Sequence, residues 1–370
     1  MKVGIDARLY YESGVGRYIR NTLFELDKYC SESKTENKFY IFLSKKGFAS
    51  VNFKSEALVK IEANVPWHSL GEQIGFVKIL NHYDLDLMHF TYFSLPIFYK
   101  RKFIVTIHDL IINKLDTGKA TTLPKPIYRL KRIAYHKVIK HAILKSKFII
   151  SPSESTKKEI LNAYNIDESK IVVIPEGIDP NFYHKTTKPK ENVPSKFILY
   201  VGNAYPHKNL ERLVKAYGNV QDKIDEDLVL VGRSDYFYKR LYGKTRNNKR
   251  IKIFHSINDS ELSYLYEKAS FLVAPSLMEG FGLTPLEAMG HGCLPVVSSI
   301  DAFRQVCDNA ALYFDPESVS DISAVLQKAA QLHKDKKNEL KELFKKRVNF
   351  FSWKKSFEKT LETYESCYSL

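Results

Sequence analysis

Ser270-Phe-Leu-Val-Ala-Pro-Ser276, followed closely by Glu279-Gly-Phe-Gly-Leu-Thr-Pro-Leu-Glu287, is the stretch on which the reading of this chain turns. The apolar run has the length and the flanking turn residues of a buried strand. Two glycines then let the backbone come close to another group. Thr284 suits a helix N-cap, Pro285 the first helical position, and Glu287 falls three residues after that cap. Strand, glycine turn and helix in succession are the repeating unit of a parallel α/β layer. The amides from Gly280 through Phe281, Gly282 and Leu283 to Thr284 then face outward at the positive end of a helix, which is a ready site for a phosphate. A carboxylate stands at each end of the turn. Thr284-x-x-Glu287 is equally a plain capping box. Glu279, before Gly-Phe-Gly, has no evident capping role.

The same alternation runs along the whole chain. Short apolar strands are expected at Lys2–Ala7, Lys38–Ser44, Leu85–Phe90, Phe103–His108 and Lys147–Ser151, with helices at Tyr18–Tyr29, Leu70–Leu80, Pro126–Leu144 and Ser153–Tyr164. A polar stretch, Asn181–Ser195, has the composition of an interdomain linker. After it a second series begins, with strands Phe197–Gly202, Asp227–Gly232, Ile251–Phe254, Phe271–Ala274 and Leu294–Ser298. The length of 370 residues exceeds one typical core. The expectation is an α/β protein of two Rossmann-like domains, 1–193 and 194–350, with parallel sheets facing across a cleft. Ligands would sit outside the carboxyl ends of the strands.

Composition narrows the partners. The formal net charge is +15, and the first 193 residues carry 31 Lys+Arg against 20 Asp+Glu. Residues 117–153 hold nine Lys+Arg and no acid. This favours an anionic partner for the first domain: a membrane surface, a nucleic acid or a phosphorylated substrate. Within it, 125–147 reads as a helix with an apolar stripe of Ile127, Leu130, Ala134, Val138 and Ala142, and with Arg129, Arg132, Lys137, Lys140 and Lys147 off the stripe. It fits either an anionic lipid surface or a solvated surface face. Nucleic acid is disfavoured, because no binding module is evident and the aromatics form no stacking platform. No apolar run reaches the ~18 residues of a membrane span, and the opening Met1-Lys-Val-Gly-Ile-Asp-Ala-Arg8 reads as a strand rather than a secretory signal. Cys30, Cys293, Cys307 and Cys367 are scattered and read as free thiols of a cytoplasmic protein; peripheral attachment to the inner face of the cell membrane would follow if the basic helix meets lipid.

Several strand-end loops carry chemistry. Gly14-Val15-Gly16 opens the first helix but lacks the third glycine of a dinucleotide fingerprint, so a nicotinamide or flavin site is disfavoured. A close approach to a ligand and a plain turn both remain open there. His108 ends an apolar strand, either as a structural hydrogen-bonder or as a cleft residue. Lys208 lies at a helix start, where an ammonium is unfavourable to the helix dipole unless it faces an anion. Asp84-x-Asp86 resembles a metal-holding acid pair, but no further ligand stands nearby, and solvated strand-end charge is the simpler reading. No histidine pair has metal spacing. No metal and no cofactor are expected.

Taken in order, Gly14-Val-Gly-Arg-Tyr18, His108-Asp109, Ser151-Pro-Ser-Glu-Ser155, Ile174-Pro-Glu-Gly-Ile-Asp179, Tyr200-Val-Gly…His-Lys-Asn209 and Glu279-Gly-Phe-Gly-Leu-Thr-Pro-Leu-Glu-Ala-Met289 resemble glycosyltransferase family 4. These are retaining sugar-nucleotide transferases of the GT-B fold, and the chain is similar to bacterial enzymes that add mannose or a related sugar to surface polysaccharides. The resemblance implies that Glu279 binds hydroxyls of the donor sugar, that Glu287 binds the ribose and that Lys208 pairs with the diphosphate. It places His108 beside the transferred sugar and Gly14–Gly16 beside donor phosphate and acceptor. The base is expected near Arg233 and Ile257. Many relatives carry Arg where this chain has Asn203; Arg17, His207 or Arg233 are candidates to replace its charge. Phe351-Ser-Trp353 resembles the family's final helix, 351–370, which returns to the first domain. The implied donor is a nucleotide-diphosphate sugar, GDP-mannose or a UDP-sugar, and the implied acceptor a glycan or lipid-linked glycan. A non-catalytic scaffold of the same fold and a metal-dependent transferase using Asp84 and Asp86 are the competing readings.

Overall fold

The computed structural model describes residues 1–33, 35–114, 124–178, 186–332 and 334–369. The chain divides into two compact units, one made of Met1–Asn113, Thr121–Glu176 and Trp353–Leu370, the other built on Gly177–Ser352. The division therefore falls after Glu176 and after Ser352, not at 193/194 and 350/351. The reason lies in one apolar side chain. Ile178 is 6% exposed and belongs to the core of the second unit, and its backbone bridges to Ser352; average composition does not register such an anchor. Asp179, residues 181–185 of the expected linker and residues 117–123 of the acid-free run lie outside the described residues.

The first unit is a seven-stranded parallel sheet. Its strands are β1 (Lys2–Asp6), β2 (Lys38–Leu43), β3 (Leu58–Glu62), β4 (Leu87–Phe90), β5 (Phe103–Thr106), β6 (Ile149–Ser151) and β7 (Ile171–Val173), in the order β3-β2-β1-β4-β5-β6-β7. β4 and β5 are buried at every residue, as a parallel sheet covered on both faces requires. The order reverses between β1 and β4, and that switch point opens a crevice at the strand ends. His89 sits inside β4, fully buried. Its Nδ1 meets the Tyr364 hydroxyl at 2.7 Å and its Nε2 the Thr106 hydroxyl at 2.8 Å. Burial, with His108 nearby, holds its pKa down to about 3. Tyr364 belongs to the helix Trp353–Ser369, which packs on the helix Gly14–Glu32 through Phe357 and Tyr29.

The second unit is a six-stranded parallel sheet of β8 (Phe197–Val201), β9 (Asp227–Val231), β10 (Ile251–Phe254), β11 (Phe271–Ala274), β12 (Pro295–Ser298) and β13 (Leu312–Phe314), ordered β10-β9-β8-β11-β12-β13. Here the order reverses between β8 and β11. All four cysteines are buried, and none forms a disulfide.

Two helices differ from expectation. The segment expected as one helix over Leu70–Leu80 is a π-turn, Glu72–Phe76, leading into Val77–His82. The basic helix spans Lys125–Lys145, but its buried residues are Ile139, Ala142 and Ile143. Ile127 and Leu130, on the apolar stripe read from the sequence, are 48% and 68% exposed, and Ile133 beside them is 55% exposed. Only the C-terminal half of this helix reaches the core, and the apolar stripe of its N-terminal half stays exposed. No helix among the described residues is long and apolar enough to cross a membrane.

Candidate active site

In the second unit the chemistry gathers at the switch point. β8 runs into Gly202, whose φ of +150° only glycine adopts readily, and then Asn203. Tyr238 donates to the Gly202 carbonyl at 2.8 Å and Tyr200 to the Asn203 carbonyl at 2.6 Å. The Asn203 side chain accepts from the Tyr205 amide. This loop ends in a 3-10 turn, Pro206–Lys208, and in Asn209, which is left-handed at φ +62°. Asn209 donates to the carbonyls of Pro275 and Pro316 at 3.0 and 2.8 Å. The Leu277 amide donates to the His207 carbonyl at 2.7 Å. These bonds dock the Lys208 loop onto the segment that follows β11.

The docking brings Lys208 Nζ to 2.6 Å from Glu279 Oε1, and the Ser276 hydroxyl donates to the same oxygen at 2.6 Å. Both charged side chains are largely shielded. Burial alone would push the Glu279 pKa up, but the Lys208 charge and hydrogen bond, with Ser276, hold it below the usual value. Glu279 is thus a carboxylate at neutral pH. His207, beside them, is held down to about 4 by burial and by Lys208. It is neutral at pH 7 and supplies no positive charge in place of the family arginine at Asn203. Arg233 is exposed just after β9, and Ile257 is half-buried after β10.

The helix after the glycine turn spans Leu283–Gly290 and starts two residues before Pro285, the first helical position that sequence suggested. Gly282, at φ +120°, takes the cap position, so Thr284 is not the N-cap and no capping box forms. Gly282 is compelled there on two counts: its φ, and a Cβ that would stand 3.0 Å from Phe303. Pro285 has no N–H, so the first turn leaves the amides of Leu283 and Thr284 without an intrahelical acceptor. Phe281 is a core residue, 4% exposed and packed edge-on against Phe351; only its backbone faces the loop. Glu287 is 5% exposed and accepts from the Tyr266 hydroxyl at 3.0 Å.

In the first unit, Gly14 begins the helix Gly14–Glu32 with open space where a Cβ would stand. Val15 is half-buried in its first turn. Gly16 serves an internal contact, since a Cβ there would lie 2.7 Å from the Tyr10 carbonyl oxygen. His108 follows β5. Its Nε2 donates to the Thr91 carbonyl at 3.0 Å, and its Nδ1 meets Glu176 Oε1 at 3.2 Å. Burial would lower its pKa, but the Glu176 carboxylate and the Thr91 carbonyl outweigh burial and raise it above the ordinary 6.5. Both ring nitrogens face acceptors, which is the cause of the rise. A raised folded pKa stabilises the fold below about pH 6.5, and that contribution is lost as pH rises through the raised value. In Glu176→Gln, the His108 midpoint read by NMR is expected to fall and the loss of stability across that window to vanish. An unmoved midpoint would separate Glu176 from His108.

Asp84 pairs with Arg101, and Asp86 accepts from the Lys2 amide at 2.7 Å, so both acids have structural partners. Sequence reasoning did not single out Glu176, Ser276 or the docking role of Asn209. Glu176 sits in Ile174-Pro-Glu-Gly177, an acid in an apolar strand exit. Ser276 and Asn209 carried no charge to mark them.

Two doubly wound parallel units, each with its polar loops at the strand ends, are the architecture of the GT-B fold. Residues 54–182 match the family described as Glycosyltransferase Family 4, and residues 184–347 the family Glycosyl transferases group 1. The chain belongs to these glycosyltransferases, with a family 4 domain followed by a group 1 domain. It is 26% identical over 272 residues to the O-antigen chain mannosyltransferase RfbU of Salmonella typhimurium, covering 72% of this chain and 71% of that one. To the O-antigen chain mannosyltransferase B of Escherichia coli it is 29% identical over 269 residues, covering 68% and 67%. Sucrose-phosphate synthase from Thermosynechococcus elongatus shares the fold with a TM-score of 0.78 at 18% identity, over 100% of this chain and 99% of that one.

Proposed function

We propose that this glycosyltransferase moves mannose from GDP-mannose to a glycan or lipid-linked glycan in surface-polysaccharide synthesis, with retention of configuration and without a metal. The observation that carries the reading is the Lys208–Glu279 ion pair at the β8/β11 switch point, beside the start of the helix Leu283–Gly290. The diphosphate takes Lys208 and the amides of Leu283 and Thr284. Glu279 would repel a phosphate and therefore takes sugar hydroxyls. Glu287 takes the ribose. The bond from the sugar's anomeric carbon to the diphosphate breaks, and its electron pair stays on the phosphate oxygen. The acceptor oxygen bonds to the same face of that carbon, and its proton passes to the leaving phosphate. Stabilisation of the departing diphosphate by fixed charges and dipoles supplies most of the rate. The names of the two O-antigen relatives support mannose as the sugar.

The exposed Ile127, Leu130 and Ile133 lie among Arg129, Lys131 and Arg132, the composition of a surface that rests on anionic lipid. Co-sedimentation with anionic vesicles tests that attachment.

A screen of GDP- and UDP-sugars, reading release of the nucleoside diphosphate, tests the function. GDP-mannose is the expected donor. Turnover of a UDP-sugar alone would replace the donor, and no turnover or thermal shift with any donor would favour a non-catalytic scaffold. Product NMR reads the anomeric outcome, and inversion would remove the same-face step.

A further inference from the structure

Around the switch point of the first unit, a row of rings stands on a buried charge network. Arg8, just past β1, is 7% exposed and clasps Asp6 with Nε to Oδ1 at 2.9 Å and Nη2 to Oδ2 at 2.7 Å. The same Nη2 donates to Glu72 Oε1 at 2.7 Å, and the guanidinium lies over the Phe76 ring at 3.8 Å. The other Glu72 oxygen accepts from the Ser94 hydroxyl at 2.8 Å and from the His68 amide at 3.1 Å. A single buried cation therefore fixes the loops that follow β3 and β4 to the end of β1.

Those two loops carry the rings. Trp67 packs against His68 at 4.6 Å and edge-on against Tyr92 at 6.3 Å, and Tyr92 lies 6.4 Å from His108. His68 is held at φ +56°, a region that costs a non-glycine residue about 1 kcal/mol or more. Burial, with Lys131 and Arg8 nearby, keeps its imidazole neutral, at a pKa of about 4. Trp67 nevertheless stays 40% exposed. The core of this unit does not use that ring, yet a buried ion network and a strained backbone hold its loop in place.

Resting on the glycosyltransferase reading, we propose that Trp67 and Tyr92 form the stacking platform for a sugar ring of the acceptor glycan, leading it to His108. A pyranose presents a face of C–H bonds to the negative face of an aromatic ring, and its hydroxyls remain free at the rim for polar partners. A row of rings ending at His108 suits an acceptor that is itself carbohydrate. A lipid tail needs no such alignment with the strand ends.

The chain has two tryptophans, and the other, Trp353, is 3% exposed, so the solvent-sensitive emission is that of Trp67. Methyl α-mannoside and α-mannobiose, added to the full chain without donor, are expected to shift or quench this emission saturably, and Trp67→Phe to remove the change. In transfer assays with α-mannobiose, Trp67→Ala is expected to raise the acceptor KM about tenfold, the scale of one lost stacking contact. Trp67→Phe is expected to restore most of it, which a merely structural role for the indole would not predict. Unmoved emission with both saccharides, an acceptor KM equal in wild type and Trp67→Ala, or a shift produced by anionic vesicles and not by saccharide would each overturn the platform. The emission readout needs no donor, so its failure falls on the platform alone, whereas a wild type inert to every donor falls on the proposed function.

Discussion

Lys208→Met is expected to lower sugar transfer by roughly a hundredfold or more, as loss of one preorganised charge contact to a developing anion does. It should weaken binding of the nucleoside diphosphate as well. The structure makes this substitution harsher than the deletion of one contact. Lys208 and Glu279 are only 19% and 17% exposed at the side chain, and they meet at 2.6 Å. Removing the ammonium leaves a shielded carboxylate without its counter-charge, at a cost of about 3 kcal/mol for a pair so enclosed. In the proposed donor placement, that carboxylate would also repel the diphosphate. Calorimetry with GDP and steady-state turnover read both effects. Wild-type affinity and turnover in a folded Lys208→Met protein would remove the diphosphate from this place.

Glu279→Gln is expected to cut turnover by a similar factor of roughly a hundred, with the opposite signature in binding. The amide keeps the shape and still accepts from Ser276, but the negative charge is gone and Lys208 is released to the diphosphate. GDP affinity should therefore hold or rise while turnover falls. The double substitution Lys208→Met/Glu279→Gln should melt above Lys208→Met alone, because it buries no lone charge. Parallel losses of GDP affinity in both single variants would mean that Glu279 does not face the sugar.

Much of this was legible in the chain. The inner strands β2, β4, β5, β6, β8, β9, β11 and β12 are mostly apolar because both faces of a parallel sheet are covered, and they were readable for that reason. β3, β7 and β13 were not read as strands. Each lies at a sheet edge with one neighbour, and β3 interleaves Lys60 and Glu62 with its apolar residues. Lys208 and Glu279 were visible as charges in odd places, a cation at a helix start and an acid before Gly-Phe-Gly. Their contact across 71 positions was not, since it depends on Asn209 reaching the carbonyls of Pro275 and Pro316. Thr284 and Glu287 had capping-box spacing, but Gly282 won the cap because only glycine tolerates its φ of +120°. Glu72 and Arg8 gave no sequence signal, since pattern reading assigns charges to the surface and these two are buried by each other.

His89, in the middle of β4, finds the partner for its Nδ1 in Tyr364, 275 positions later in the chain. During synthesis the first 176 residues leave the ribosome well before that tyrosine is made. At ordinary elongation rates the interval is on the order of ten seconds or more. For that time the Nδ1 of His89 lacks the side-chain partner it has in the complete fold, while the intervening unit is translated. The sheet of the first unit thus gains its last side-chain partner only after the second unit has been translated.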